Sequence, residues 1–103
     1  YLYKNGKMVR GAAVSLRYSP NTRRKAYRLA VVVSRKVSKS AVVRNRIRRR
    51  LYEIVRLLSS EFTGVYDLTL LVYDEKLATL PAEHLNAEIT TLLKKAAIIS
   101  RET

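Results

Sequence analysis

Residues 27–51 read YRLAVVVSRKVSKSAVVRNRIRRRL, and the way this stretch divides decides the fold. Its first seven residues, Tyr27-Arg28-Leu29-Ala30-Val31-Val32-Val33, are β-branched and apolar, the composition of a central strand covered on both faces. Ser38 or Ser40 can cap a helix that follows, and over residues 41–61 the apolar period lengthens to a helical one. At ~100° per residue with Ile47 as origin, Val43, Leu51, Ile54 and Leu58 fall within about 40° of it. Asn45, Arg49, Tyr52 and Arg56 gather at the opposite pole, with Arg44, Arg46, Arg48 and Arg50 on the flanks. The stretch is therefore a strand followed by a helix that is apolar on one side and cationic on the rest.

Upstream, Ala13-Val14-Ser15-Leu16-Arg17-Tyr18 alternates with period two, as a half-buried strand does. Ser19-Pro20-Asn21-Thr22 has the composition of a turn, so the two strands are expected to pair as a hairpin across Arg23-Arg24-Lys25. Tyr1 to Gly6 looks like the tail of a helix, since Asn5 and Gly6 tolerate the left-handed conformation that closes one. Downstream, Phe62 is an expected anchor, Gly64 a stop, and residues 66–73 a further strand. Residues 81–99 read as a last helix. Pro81 lies at its start, Glu83 and Glu88 toward its N-terminal end, Lys94 and Lys95 near its C-terminal end, and Leu85, Ile89, Leu92, Leu93 and Ala96 form its stripe. With 103 residues and no internal repeat, the chain is read as a single domain (1–103) of α+β class, a small mixed sheet packed with helices. A strand–helix–strand crossover would by default be right-handed.

The hydrophobic fraction of 48% suits a folded domain, but the charge is unusual. There are 21 Lys and Arg against 8 Asp and Glu, a net +13. Sixteen of the cations lie in residues 1–50, which hold no acid, whereas residues 51–103 carry 5 cations and all 8 acids. So lopsided a chain is expected to meet a polyanion. From Ser34 to Arg50 every charge is positive, and Arg44/Arg48 and Arg46/Arg50 are like-charged i,i+4 pairs that repel. A phosphate backbone between the guanidiniums would relieve that repulsion, and Arg suits bidentate phosphate contact better than Lys.

Several chemistries are excluded. The chain has no Cys, hence no disulfide frame, thiolate nucleophile or Cys-based zinc site. His84 is the single His and is read as a surface residue. Asp67, Asp74 and Glu75 are the only close acids, and they read as solvated turn residues, so neither a catalytic nor a metal site is expected. No apolar run approaches the ~18 residues of a membrane span, and no signal peptide is visible. The chain opens at Tyr1 rather than Met, so its true N-terminus is expected to be missing or processed. A cytoplasmic, reducing environment is expected.

One resemblance is specific. Arg44-Asn45-Arg46, preceded by Ser34-Arg35-Lys36-Val37 and Ala41-Val42 and followed by Ile47-Arg48-Arg49, resembles the signature of the bacterial ribonuclease P protein subunit family. The order of elements matches too, from Tyr3-Lys4-Asn5-Gly6 through Tyr66-Asp67-Leu68 to the closing helix. The resemblance implies an α-β-β-β-α-β-α domain of the ribosomal protein S5 domain 2-like fold, whose strand–helix–strand crossover is left-handed, against the default. It implies a subunit of an endoribonuclease that removes the 5′ leader of precursor tRNA, with the chemistry in an RNA subunit and its Mg²⁺ ions and no cofactor on the protein. Its partners are then the ribonuclease P RNA and precursor tRNA, with no membrane and no DNA.

Carried over residue by residue, the resemblance implies RNA-subunit contacts at Lys36, Lys39, Arg44, Asn45, Arg46, Arg48 and Arg49, with helix N-terminal amides adding phosphate donors. It further implies a cleft for the single-stranded leader at Tyr3 and at the outward residues of the strand, Leu16 or Arg17 and Tyr18. Aromatic faces there would stack on unpaired bases irrespective of sequence. Tyr27, Tyr52, Tyr66 and Tyr73 are expected in the core or at its rim. The chain departs from the family in having Ser38 where many members have Gly, so Ser38-Lys39-Ser40 must bend without it. The alternative is a ribosomal protein or assembly factor on structured rRNA. A major-groove DNA reader fits less well, because the helix start lacks polar base-reading side chains.

Overall fold

A computed structural model describes residues 7–100. The chain forms β1 (Lys7–Val9), β2 (Val14–Pro20), β3 (Arg28–Val32), α1 (Ala41–Leu58), a 3-10 turn (Ser59–Glu61), β4 (Tyr66–Val72), a second 3-10 turn (Glu75–Ala78) and α2 (Ala82–Lys95). The expected helix at residues 1–6 lies outside the described residues, and the short β1 falls where the sequence pattern is silent.

The four strands form one mixed sheet in the order β1-β2-β4-β3. β4 pairs antiparallel with β2, Leu16 opposite Leu70 and Tyr18 opposite Leu68. On its other side it pairs parallel with β3, Val31 opposite Leu70 and Arg28 opposite Asp67. The expected hairpin between β2 and β3 is therefore not formed, because β4 inserts between them. The expectation that β3 is a central strand covered on both faces also fails. It is an edge strand, with Ala30 and Val32 exposed. Its apolar run reflects one buried face, Leu29 and Val31, and a second, open one.

Side-chain alternation divides the sheet cleanly. Val14, Leu16 and Tyr18 of β2, Leu68, Leu70 and Val72 of β4, and Leu29 and Val31 of β3 share one face. Both helices lie on that face, since their apolar stripes join these strand residues in a single core. α1 contributes Ile47, Leu51, Ile54 and Val55, and α2 contributes Leu85, Ile89, Leu92 and Leu93. Each such side chain fully removed from water is worth about 1.5–3 kcal/mol. The second face carries Ser15, Arg17 and Ser19 of β2, Asp67, Thr69 and Leu71 of β4, and Arg28, Ala30 and Val32 of β3.

α2 stops at Lys95, short of the expected residue 99. Ala97 adopts φ 60°, its amide donates to the Lys94 carbonyl at 3.0 Å, and the Ile98 amide donates to the Leu93 carbonyl at 3.0 Å. This Schellman closure turns the chain back so that Ile98 and Ile99 enter the core. Ile99 then bridges to Phe62, whose ring meets Tyr27 edge-on at 5.4 Å, so Phe62 does serve as an anchor.

Candidate nucleic-acid interface

The cationic surface begins where the chain leaves β3. The amides of Val37 and Ser38 donate to the Ser34 carbonyl at 3.0 and 3.4 Å, forming a tight turn. Ser38 is buried, and its hydroxyl accepts from the Ser40 amide at 3.2 Å. The Ser38 carbonyl accepts from the Arg44 guanidinium at 2.9 Å. Ser40 caps α1, its hydroxyl accepting from the Val43 amide at 3.3 Å. The bend thus proceeds without glycine through these five hydrogen bonds, accepted by three serines, Ser34, Ser38 and Ser40, and among the described residues Ala97 is the only non-glycine with positive φ. This arrangement leaves an open groove lined by Arg35, Lys36, Lys39, Ala41 and Arg44, at a helix N-terminus with no acid in its first turn. The amides of that turn that Ser40 does not cap, together with the cations lining the groove, favour an anion.

Along α1 the arginines divide into two groups. Arg46 and Arg49 are exposed, and among the described residues neither guanidinium makes a hydrogen bond or ion pair. Arg48 is held by Asn45, whose side-chain oxygen accepts from it at 2.8 Å. Arg44 commits one nitrogen to Ser38 and keeps its remaining donors. Arg50 turns the other way, donating to the Leu77 carbonyl at 2.7 Å and also to the Leu80 carbonyl, so it ties α1 to the second 3-10 turn. The one acid within α1, Glu53, is ion-paired with Arg56 at 2.6 Å, and the hydrogen bond from Arg56 holds its carboxyl below the usual range. Glu53 and Arg56 balance each other, and the field of the first three turns stays positive.

Lys36, Lys39, Arg44, Asn45, Arg46, Arg48 and Arg49 therefore lie together on the approach turn and the outer side of α1. The residues expected at a leader cleft do not. Tyr3 lies outside the described residues. Leu16 is 1% exposed and faces the helices, so it is a core residue and not an outward one. Tyr18 shares that face by alternation; it is half-buried, its ring edge-on to Tyr66 at 6.5 Å. Of the strand residues only Arg17 stands on the second face, opposite Met8 on one side and Thr69 on the other. Tyr27 and Tyr66 do pack at the core rim, whereas Tyr52 and Tyr73 are exposed, 43% and 50%. His84 is exposed, as expected.

Asp67 corrects a further expectation, because it is buried and not a solvated turn residue. Its carboxylate accepts from the Asn21 amide nitrogen at 3.2 and 3.1 Å and from Arg28 at 3.3 Å. Burial alone would raise its pKa. The hydrogen bonds from Arg28 and Asn21, with the charges of Arg28 and Arg24, outweigh burial and hold it below the usual carboxylate value. Asp74 is also engaged, accepting from the Lys76 amide at 2.9 Å.

A mixed sheet with both helices on one face, one helix presenting exposed guanidiniums that no acid pairs among the described residues, defines a small α+β domain with a strongly cationic surface. The chain belongs to the Ribonuclease P family, whose profile matches residues 1–97. A ribonuclease P protein component from Chloroflexus aurantiacus is 40% identical over 81 residues, covering 79% of this chain and 59% of the relative. One from a Synechococcus strain is 38% identical over 101 residues, covering 95% and 75%. The chain thus spans less than two thirds of the Chloroflexus relative. Among solved structures, the Staphylococcus aureus RNase P protein superposes with a TM-score of 0.81 at 22% identity, covering 96% of this chain and 88% of the other. The Thermotoga maritima protein gives 0.80 at 23% identity, covering 91% and 86%. These likenesses establish the shared fold.

Proposed function

We propose that this chain is the protein subunit of a ribonuclease P ribonucleoprotein, which binds the catalytic RNA and promotes endonucleolytic removal of the 5′ leader from precursor tRNA. The observation that carries the reading is the pair of unpaired, exposed guanidiniums of Arg46 and Arg49. They stand beside the serine-built turn bearing Lys36 and Lys39, in a chain of this family. These groups, with Arg44, Asn45 and Arg48, grip the phosphate backbone of the RNA subunit. Arg17, on the open face of the sheet, contacts the leader.

The protein's part is binding and positioning, with bond cleavage in the RNA subunit and its Mg²⁺ ions. Among the described residues no three acidic or histidine side chains gather as a metal site would need. Asp67 is occupied by Arg28 and Asn21 and Asp74 by a backbone amide, so the reading routes no step through a metal held here. No helix among the described residues is long and apolar enough to cross a membrane, and the reading places the work in the cytoplasm with the RNA.

The test is reconstitution. Added to a bacterial ribonuclease P RNA at low Mg²⁺, the protein should rescue cleavage of precursor tRNA. Failure to rescue with a cognate RNA would favour an rRNA-binding role instead. Within the same assay, Arg17→Ala should weaken binding of leader-bearing precursor more than that of mature tRNA, and equal losses would remove Arg17 from the leader path.

A further inference from the structure

Away from the arginine surface of α1, the side of α2 that does not enter the core borders a hollow that the RNA grip does not use. It lies between α2 and the turn joining β1 to β2, with a volume of about 530 Å³, within the usual range of a small-molecule site. Gly11 sets that turn in place. A Cβ at this residue would lie 2.3 Å from the Val14 carbonyl oxygen and 3.3 Å from a Leu92 methyl, so only glycine lets the backbone come down onto the helix. Val14 and Leu92, both buried, form the floor. Short, exposed side chains keep the walls apart, Ala12 on the turn and Ala87 and Thr91 on α2. Helical spacing brings His84, Ala87, Glu88, Thr91 and Lys95 to this one side, while Leu85, Ile89 and Leu93 turn into the core.

Four charged or titratable side chains border the hollow, Arg10 from the turn and His84, Glu88 and Lys95 from the helix. His84 and Lys95 stand about one and two helical turns from Glu88, so Glu88 is the acid at the middle of the wall. Arg10 and Glu88 carry opposite charges and border the same space. Yet they form no ion pair with each other, nor does either side chain pair with any other group among the described residues. A bound molecule can serve both at once, with an anionic group against Arg10, a cationic one against Glu88 and an apolar body on the floor. The one hydroxyl in the lining, that of Thr91, already donates to the Ala87 carbonyl at 2.8 Å, so a ring placed there leaves no polar group of the wall unpaired.

We propose that this hollow binds a small aromatic zwitterion, an aromatic α-amino acid, with Arg10 on its carboxylate, Glu88 on its ammonium group and its ring against Val14, Ala87 and Leu92. None of these residues belongs to the grip on α1 or to the sheet face that carries Arg17. The proposal therefore stands apart from the RNA-binding reading, and either can fail without the other.

The chain has seven Tyr and no Trp, so the indole fluorescence of added tryptophan, excited where tyrosine does not absorb, reports binding directly. With about fifteen heavy atoms, tryptophan should bind the whole chain with a dissociation constant on the order of 0.5 mM. Tryptamine, which lacks the carboxylate, and indolepropionate, which lacks the ammonium group, should each bind about 1.5–5-fold more weakly, the worth of one exposed charge pair. Arg10→Ala should cost tryptophan and indolepropionate that factor without weakening tryptamine. Glu88→Gln should cost tryptophan and tryptamine the same factor without weakening indolepropionate. Ala87→Phe, which fills the hollow from an exposed position, should abolish binding of all three, and Ala12→Phe repeats this from the opposite wall should the first variant unfold by circular dichroism. No fluorescence change up to about 10 mM tryptophan, equal affinities for the three ligands, charge variants that lack the crossed pattern, or binding that survives the filled hollow would each overturn the proposal.

Discussion

Replacing Arg50 by Ala separates the arginine that builds the fold from those that face outward. Its guanidinium donates to the carbonyls of Leu77 and Leu80 and so fastens α1 to the turn between β4 and α2. Leu77 is 0% exposed, so its carbonyl finds no replacement partner, and losing a charged donor there costs about 1.5–3 kcal/mol. Leu80 is half-buried and water recovers part of its bond, which brings the total to roughly 2–4 kcal/mol. For a domain of this length that lowers Tm by roughly 10–25 °C. Thermal melting by circular dichroism reads the effect, and Arg50→Lys, which keeps the charge but not the fork, should recover only part of it. Arg46→Ala and Arg49→Ala should melt within about 0.5 kcal/mol of the wild type while each lowers the RNA salt slope by about 0.7–0.9. The reasoning is refuted if Arg50→Ala melts with the wild type and loses RNA affinity as Arg49→Ala does.

Two further outcomes follow from the sheet. Leu16→Ala should cost about 2–5 kcal/mol in urea unfolding, as a buried leucine facing both helices does, whereas Arg17→Ala next to it should leave the fold standing; the reverse order would mean the register is slipped by one. The Asp67 carboxyl, held below its ordinary pKa, adds stability that is complete above the unfolded value of about 3.9 and disappears as pH falls through the lower folded value. The stability gap between wild type and Asp67→Asn should therefore be constant near neutrality and shrink in acid, and a gap that does not shrink at all as the pH is lowered would show that the Arg28 and Asn21 contacts do not depend on the charge.

Much of this was legible in the residues, and the exceptions have a common cause. The period-two alternation of residues 13–18, the helical period around Ile47 and the stripe from Leu85 to Leu93 are local patterns, and each element formed close to its expected bounds. The Ser40 cap and the outward setting of Arg46 and Arg49 are local as well. Strand order is not a local property. Nothing in Tyr27–Val33 says whether the neighbour is β2 or a strand after the helix, so the hairpin expectation failed and β3 proved to be an edge. The outward setting expected of Leu16 and Tyr18 failed because two of the three neighbouring residues must share a face, and it was the face under the helices. Arg50 looked like its neighbours in sequence; only the position of the Leu77 and Leu80 carbonyls distinguishes it. Asp67 could have been noticed as a lone acid inside an apolar strand, a placement that calls for a partner.

The central place of β4 bears on how the molecule can form. β2 and β3 share no hydrogen bonds and meet only through a strand that emerges from the chain after the whole of α1. A fragment ending at α1 would hold seventeen cations, one acid and no strand to join β2 to β3, so it should behave as an expanded, self-repelling chain. The transition to the native state therefore has to close a loop from β3 across the entire helix to β4, a pairing distant in sequence and slow in proportion. The arginine surface and the sheet behind it should appear in one cooperative step, and kinetic experiments should find no stage at which the grip exists before the last strand has been inserted.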